Sequence, residues 1–383
     1  LLRVRNLGFG LSSLVSLTVR PWFHVKFLAQ AAQGIKEAAQ VRRYFEEAVM
    51  TTLKPIQLSL ALRWSLILLL LVLSQALHAQ SWHAIVGAQS SDKGVQALAF
   101  LPNEMWIHAG DSITWSFPTP EPHSVTFLTP GQIRPTFQIG CPGTSPDGST
   151  FDGSACVDSG RIGAAGTTYT VTFPSPGNYR EVCLVHVNMT GIVHVLDPSE
   201  PLPHDQAFYD RQAVEEQRDL LSRDADESAR KPPARSHVHN HQIVTGSGRL
   251  VSTQGGIQSV SVMRFMQPNI TIHAGETVEW DSSDVSGHAI TFGQEPPNVS
   301  PSTPPSANVF VDPDGARHAL ISSTTDNVHS GLIAQAPHER TGVAQAAAGV
   351  TRFRVTFTRP GTYRYICALH DELGMTGQVV VLP

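Results

Sequence analysis

An all-β fold, two β-sandwiches joined by a partly helical linker, is what this sequence predicts, and three observations carry the prediction. Short runs rich in Val, Ile, Thr and Phe are punctuated by 30 glycines and 27 prolines, the texture of a sandwich rather than of a helical bundle. Apolar and polar residues alternate at period two in stretches such as Tyr169-Val171-Phe173, the mark of a half-buried strand. The pattern of the first half then returns in the second. At 383 residues there is room for two or three domains, each with its own core. Charged residues make up 15%, the formal net charge is -5, and no basic run appears, which argues against a nucleic-acid partner.

Residues 1–49 begin with Leu1, show no strand or ligand pattern, and are read as an upstream segment, since the first methionine is Met50. Residues 50–79 read as a signal peptide. Lys54 and Arg63 form a basic start, Leu66 to Leu73 an apolar core, and Ala76 to Ala79 a cleavage site before Gln80. The apolar run falls short of the ~20 residues that span a bilayer, so no transmembrane span is expected once the signal is removed. A strand-like pattern follows over 80–197, the first sandwich unit. Residues 198–236 form a charged linker, with Tyr209, Ala213 and Leu220 at helical spacing inside it, and Pro232-Pro233 at its end. A short surface helix in a solvated spacer is expected there.

The second unit, 237–383, repeats the first. Ile272 to Trp280 matches Ile107 to Trp115, and His288 to Phe292 matches His123 to Phe127; 273 minus 108 and 288 minus 123 each give 165. At the cysteine the offset is 184 (367 minus 183), so the second unit carries 19 more residues between its first histidine and its cysteine. His108 and His273 occupy equivalent turns and are expected at the surface.

Four cysteines divide into two kinds. Cys141 and Cys156 sit in a Gly/Pro/Ser/Asp-rich loop and suit a small disulfide ring in an oxidising compartment. Cys183 and Cys367 each lie three residues before a histidine and read as ligands. Cys183, His186 and Met189 form one series, and Cys367, His370 and Met375 the other. A thiolate, an imidazole and a thioether on one short loop suit copper better than a hard cation. A fourth ligand is supplied in each unit by His123 and His288, which follow a Trp-ending strand. Two histidines, a cysteine and a weak methionine are the donor set of an electron-transfer copper centre.

Each unit resembles a cupredoxin of the plastocyanin, amicyanin and pseudoazurin group, on the shared pattern Pro-Gly-x-Tyr-x3-Cys-x2-His, a following Met and Gly, and an upstream His. The resemblance implies a Greek-key β-sandwich with one type 1 copper per domain, bound by His123, Cys183, His186 and Met189 and by His288, Cys367, His370 and Met375. It implies one-electron transfer by a periplasmic or secreted protein, with redox partners docking near His186 and His370. Leu184, Val185 and Val187 would ring the first of these, and Ala368, Leu369 and Leu373 the second. The family often has Asn after the first histidine, bracing the cysteine loop; here Ser124 is a substitute and Ala289 is not. Two further functions share the ligand set, a copper carrier or buffer and a two-domain copper oxidase or nitrite reductase. The oxidase calls for histidines beside the cysteines, where this chain has Val182, Leu184, Ile366 and Ala368. His237, His239 and His241 fall on alternate positions and form either a polar linker end or a further copper or zinc site.

Overall fold

Alternation decides which face each strand buries. In Ser112–Phe117 the side chains of Ile113, Trp115 and Phe117 are buried and their neighbours are not, and Arg352–Phe357 does the same with Phe353, Val355 and Phe357. The computed structural model describes residues 79–135, 141–186, 188–222, 241–282, 284–300, 302–334 and 350–383. The upstream segment, nearly all of the signal peptide, Val187, His237 and His239 lie outside the described residues.

The first unit supplies β1 (Ser81–Gln89), β2 (Val95–Leu101), β3 (Glu104–His108), β4 (Ser112–Phe117) and β5 (Thr126–Phe127). It continues with β6 (Ser149–Thr150), β7 (Val157–Asp158), β8 (Thr167–Thr172), β9 (Gly177–Val182) and β10 (Thr190–Leu196). Helix α1 (Gln206–Leu220) follows, capped at its start by Asp205, whose carboxylate accepts from Phe208 N. The second unit runs β11 (Gln242–Ser252), β12 (Ile257–Met266), β13 (Asn269–His273), β14 (Thr277–Ser282), β15 (Ile290–Phe292) and β16 (Val309–Val311). It ends with β17 (Arg317–Ile321), β18 (Val328–His329), β19 (Arg352–Phe357), β20 (Gly361–Cys367) and β21 (Thr376–Leu382).

Each unit has its own five-stranded sheet, ordered β3-β10-β9-β5-β7 and β13-β21-β20-β15-β18. The partner layer of both is one 11-stranded sheet, β16-β17-β19-β14-β11-β12-β2-β1-β4-β8-β6. Added residues of the second unit show as β16, which pairs with β17 at one end of that sheet. The loop cysteines Cys141 and Cys156 are bridged, with Cα atoms 5.5 Å apart.

The units join where β2 pairs antiparallel with β12, from Val95 opposite Val262 to Leu98 opposite Ser259. Gln96 therefore faces Ser261, and 261 minus 96 is 165, the repeat offset itself. A local twofold axis thus runs through that pair, and because paired residues point to one side of a sheet, both five-stranded layers stand on the same face. Joining also explains why β2 does not alternate. Leu98 and Phe100 enter the first unit's core, while Val95, Ala97, Ala99 and Leu101 form a separate cluster on the other face with Val260 and Val262 of β12. A strand covered on both faces reads as a continuous apolar run.

Helix α1 covers that second face and is not a solvated spacer. Ala213 and Leu220 complete the junction cluster. Tyr209 is fully buried against Trp82, accepts from Trp106 N at 2.8 Å and donates to Trp106 O at 3.1 Å. Glu216 ties both units together, accepting from Asn103 N at 3.1 Å and from Gln258 Nε2 at 2.7 Å. Apart from Glu216, the helix's charged residues lie on its outer face. Replacing Tyr209 by Ala is expected to lower unfolding stability by about 3–5 kcal/mol, the cost of removing a buried aromatic ring. Val214→Ala, on the exposed face, should stay within about 0.5 kcal/mol in the same urea titration.

Candidate metal centres

The two ligand loops leave their sheets at equivalent places. β9 delivers Cys183 and β20 ends on Cys367, and each is closed by backbone bonds that bring the methionine back to the cysteine. Cys183 N donates to Met189 O at 3.0 Å and Met189 N to His186 O at 3.2 Å. In the second loop Cys367 N donates to Met375 O at 2.9 Å and Met375 N to His370 O at 3.2 Å, and a 3-10 turn, Asp371–Leu373, takes up the longer spacing. The upstream histidines are held by isolated bridges, His123 to Ile162 and His288 to Ile333.

The outcome is two matching clusters. Cys183 Sγ lies 4.0 Å from His123 Nδ1 and 3.8 Å from His186 Nδ1, and the two Nδ1 atoms are 3.2 Å apart. Cys367 Sγ lies 3.7 Å from His288 Nδ1 and 3.4 Å from His370 Nδ1, with the same 3.2 Å between the nitrogens. Among the described residues these are the two groups of three or more His, Cys, Asp or Glu side chains whose donor atoms converge to within 4.8 Å. Met189 and Met375 are fully buried in the same core clusters as the cysteines. Nitrogen and sulfur donors aimed at one point, with the nitrogens facing each other, fit a soft or borderline cation.

Two glycines missed by the sequence reading make room for the rings. Gly87, at φ +74, stands at the bulge of β1, and a Cβ there would overlap the His123 ring at Nε2. Gly246, at φ +70 in the bulge of β11, stands in the same relation to His288 Nε2 and to Asp284. An isolated glycine inside a strand pattern is the available signal for a bulge or close approach.

Carboxylates distinguish the sites. In the first, His186 Nε2 donates to Glu121 Oε1 at 3.1 Å, with only 7% and 3% of these side chains exposed. In the second the partner is on the other histidine: His288 Nε2 bonds Asp284 Oδ2 at 2.9 Å, both fully covered. Asp284 in turn accepts from the Ser261 hydroxyl, at the local twofold. Such bonds fix a ring's tautomer and leave Nδ1 for the metal. His123 Nε2, by contrast, is buried without a hydrogen-bond partner.

Electrostatics favour thiolate and imidazolium in the metal-free protein. Burial opposes ionisation of Cys183, but hydrogen bonds and charges from His123 and His186 hold its thiol well below the ordinary range. Cys367 is likewise opposed by burial, yet His370 and His288 bring it down to about 5. Burial would lower both histidines, but Cys183 and Glu121 raise His186 to about 9, and Asp284 and Cys367 raise His288 to about 10. Burial would raise Glu121; the bond from His186 and the charges of His370, His186 and His123 outweigh it, to about 2.

The loops are braced unequally. Ser124 Oγ accepts from Leu184 N at 2.8 Å and Ser124 N points at Cys183 Sγ at 3.4 Å, so this serine does hold the cysteine loop. Arg134, a further residue the sequence reading missed, donates to the carbonyls of Cys183 and His186. At the second site Ala289 offers only its backbone N–H, 3.4 Å from Cys367 Sγ. There Arg264 holds Leu373 O at 2.6 Å. Of the expected apolar rings, Leu184, Ala368 and Leu373 are buried, and Val185 and Leu369 are half-buried. His273 is exposed, whereas His108 is half-buried with Nε2 2.7 Å from Glu200 O. His241, the described member of the histidine tract, faces Glu276 at 3.4 Å.

Comparison with known proteins gives the following similarities. Plastocyanin of Ginkgo biloba is 30% identical over 100 residues, covering 26% of this chain and 88% of that protein. Among solved structures, oxidised plastocyanin from Dryopteris crassirhizoma matches with 19% identity and a TM-score of 0.19, over 37% of this chain and 99% of that one. A reduced amicyanin variant matches with 20% identity and a TM-score of 0.21, over 30% of this chain and 82% of that one. Residues 87–196 and 251–382 each match the family described as copper binding proteins, plastocyanin/azurin family. The chain therefore belongs to the plastocyanin/azurin family of copper-binding proteins, as a tandem pair of its domains with one copper site in each.

Proposed function

We propose that this chain is an exported one-electron carrier with a type 1 copper site in each domain, bound by His123, Cys183, His186 and Met189 and by His288, Cys367, His370 and Met375. The observation that carries the reading is the convergence of two imidazole nitrogens on one buried thiolate, twice, inside packed sandwiches. Bound copper supplies a one-electron couple. The chain's own part is to present the thiolate already deprotonated and the imidazoles oriented, to exclude water, and to keep the rings from moving. Gly87, Gly246, Ser124 and Arg134 support that last role. An electron carrier is favoured over an oxidase by the apolar neighbours of both cysteines, Val182, Leu184, Ile366 and Ala368. Redox partners would approach beside His186 and His370, over Val185 and Leu369.

Export to the periplasm or beyond is supported by the signal pattern of residues 50–79 and by the Cys141–Cys156 bridge, which suits an oxidising compartment. Among the described residues no helix is long and apolar enough to cross a membrane.

Copper added to the metal-free protein should bind two per chain and give an intense blue colour that bleaches on reduction, with Cys183→Ser and Cys367→Ser each removing one copper and its share of the absorbance. A colourless product would refute type 1 copper. Gly87→Ala should displace the His123 ring and cut the first site's copper affinity by about tenfold or more, measured by competition in the Cys367→Ser background. Because His186 and His288 hold protons up to about 9 and about 10, copper must displace one at each site. Apparent affinity should then fall about tenfold per pH unit below those values and level off above them. Competition titrations between pH 6 and 10 would show this, and flat profiles would contradict it.

A further inference from the structure

Each domain's opening hairpin touches its own metal cluster along one strand and the other domain's metal loop at its turn. The β1–β2 hairpin carries Gly87 beneath His123, and the β11–β12 hairpin carries Gly246 beneath His288. Because β2 and β12 pair antiparallel, the two turns point in opposite directions along the junction. Each therefore reaches the neighbouring domain.

The second domain's turn, 253–256, lies on the first domain where β10 leaves the metal loop. Ile257 N donates to Thr190 Oγ1 at 2.9 Å, and the Thr253 hydroxyl donates to Asn103 Oδ1. Asn103 Nδ2 in turn donates to Thr190 O at 2.7 Å. Thr190 directly follows Met189, whose carbonyl accepts from Cys183 N at 3.0 Å. The approach is close enough to require glycines. A Cβ on Gly255 would stand 2.2 Å from Asn103 O, and one on Gly256 2.4 Å from Thr190 Oγ1. Thr190 is buried, whereas Thr376, in the same place after Met375, is exposed.

The first domain's turn, 90–94, answers it from the other side. Gly94 O accepts from Met263 N at 2.8 Å. Arg264 then links Asp92 O, at 2.7 Å, to Leu373 O, at 2.6 Å, two residues before Met375.

We propose that each hairpin turn positions the methionine side of the other domain's metal loop. Thr253, Asn103 and Thr190 are the positioning residues for the first loop, and Asp92 and Arg264 for the second. This rests on the copper reading above, which makes Met189 and Met375 the weak donors. The axial donor is the one through which such a site's potential is tuned. A loop clasped from the neighbouring domain therefore has its potential set in part by residues outside its own sandwich.

The test uses the full chain with Cys367→Ser, so that copper loads the first site alone, and changes Thr253 of the second domain. Thr253→Val should alter the ratio of Cu(II) to Cu(I) affinity at the first site by about threefold, roughly 30 mV for a one-electron couple. In the metal-free chain the Cys183 amide should exchange about fivefold faster, the effect of one lost hydrogen bond, while the amides of β14 keep their rates. Thr253→Ser, which keeps the hydroxyl, should restore both values. Thr190→Val, which removes the acceptor from the first-domain side, should reproduce the Thr253→Val changes. An unmoved potential would overturn the proposal, and so would equal changes with Ser and Val at 253, which would assign the effect to packing of the turn. If the first site binds no copper even with Thr253 intact, the copper reading fails instead. Exchange at Cys183 then decides alone whether the turn holds the loop, and an unchanged rate would refute it.

Discussion

Pairing of β2 with β12 is the constraint on which the rest of this molecule depends. Two separate sandwiches would each present an open strand edge, with a row of unpaired N–H and C=O groups. Antiparallel pairing through Val95–Leu98 and Ser259–Val262 satisfies both edges at once and sets the repeats about a local twofold. The same step creates an apolar face on the far side of the junction, lined by alanines and valines too small to form a core alone. Helix α1 covers it with Ala213 and Leu220, and its Glu216 reaches a residue of each domain. Apolar burial and the strand ladder thus reinforce one another, and the relative placement of the metal clusters follows from backbone pairing instead of from a flexible tether.

Within this symmetric frame the sites are chemically unequal. At offset 165 Thr119 corresponds to Asp284 and Glu121 to Ser286, so each domain has one carboxylate in the loop before its upstream histidine, two positions apart. That shift sends one carboxylate to the downstream ligand, His186, and the other to the upstream ligand, His288. Ser124 and Arg134 brace the first cysteine loop from within its own domain, whereas the second leans on Arg264, which also reaches Asp92 O of the first domain. Hydrogen bonds of this kind tune a metal's affinity and potential without altering its ligands. Two copies of one set of donor side chains therefore need not be two copies of one metal site.

The two His–Cys–His clusters were legible in the sequence because their residues are rare and stand at repeated spacings: a cysteine three residues before a histidine, and a second histidine at an offset of 165. The sandwich was legible from alternation. The junction was not, since the run Val95 to Leu101 announces a strand covered on both faces without naming what covers it. Helix α1 was misread as solvated because its charges outnumber the stripe of Tyr209, Ala213 and Leu220 that does the packing. Glu121 and Asp284 are single acidic residues in short loops, and no pattern separates them from solvated ones. Only the folded chain shows that each points inward at an imidazole.

What links the junction to the chemistry is the position of the two bulged strands. β1 lies beside β2 and β11 beside β12, so the strands that fuse the domains are the immediate neighbours of those that cradle His123 and His288. At Gly87 and Gly246 the backbone comes so close to the rings that even a methyl group has no room. A close-packed interior transmits such displacements because it has little free volume to absorb them. A shift of either strand would press directly on a ligand ring, and holding the pair fixed holds both rings fixed. The covalent tandem is therefore more than two domains on one chain: the interface that joins them is also the wall that orients one histidine of each His–Cys–His cluster.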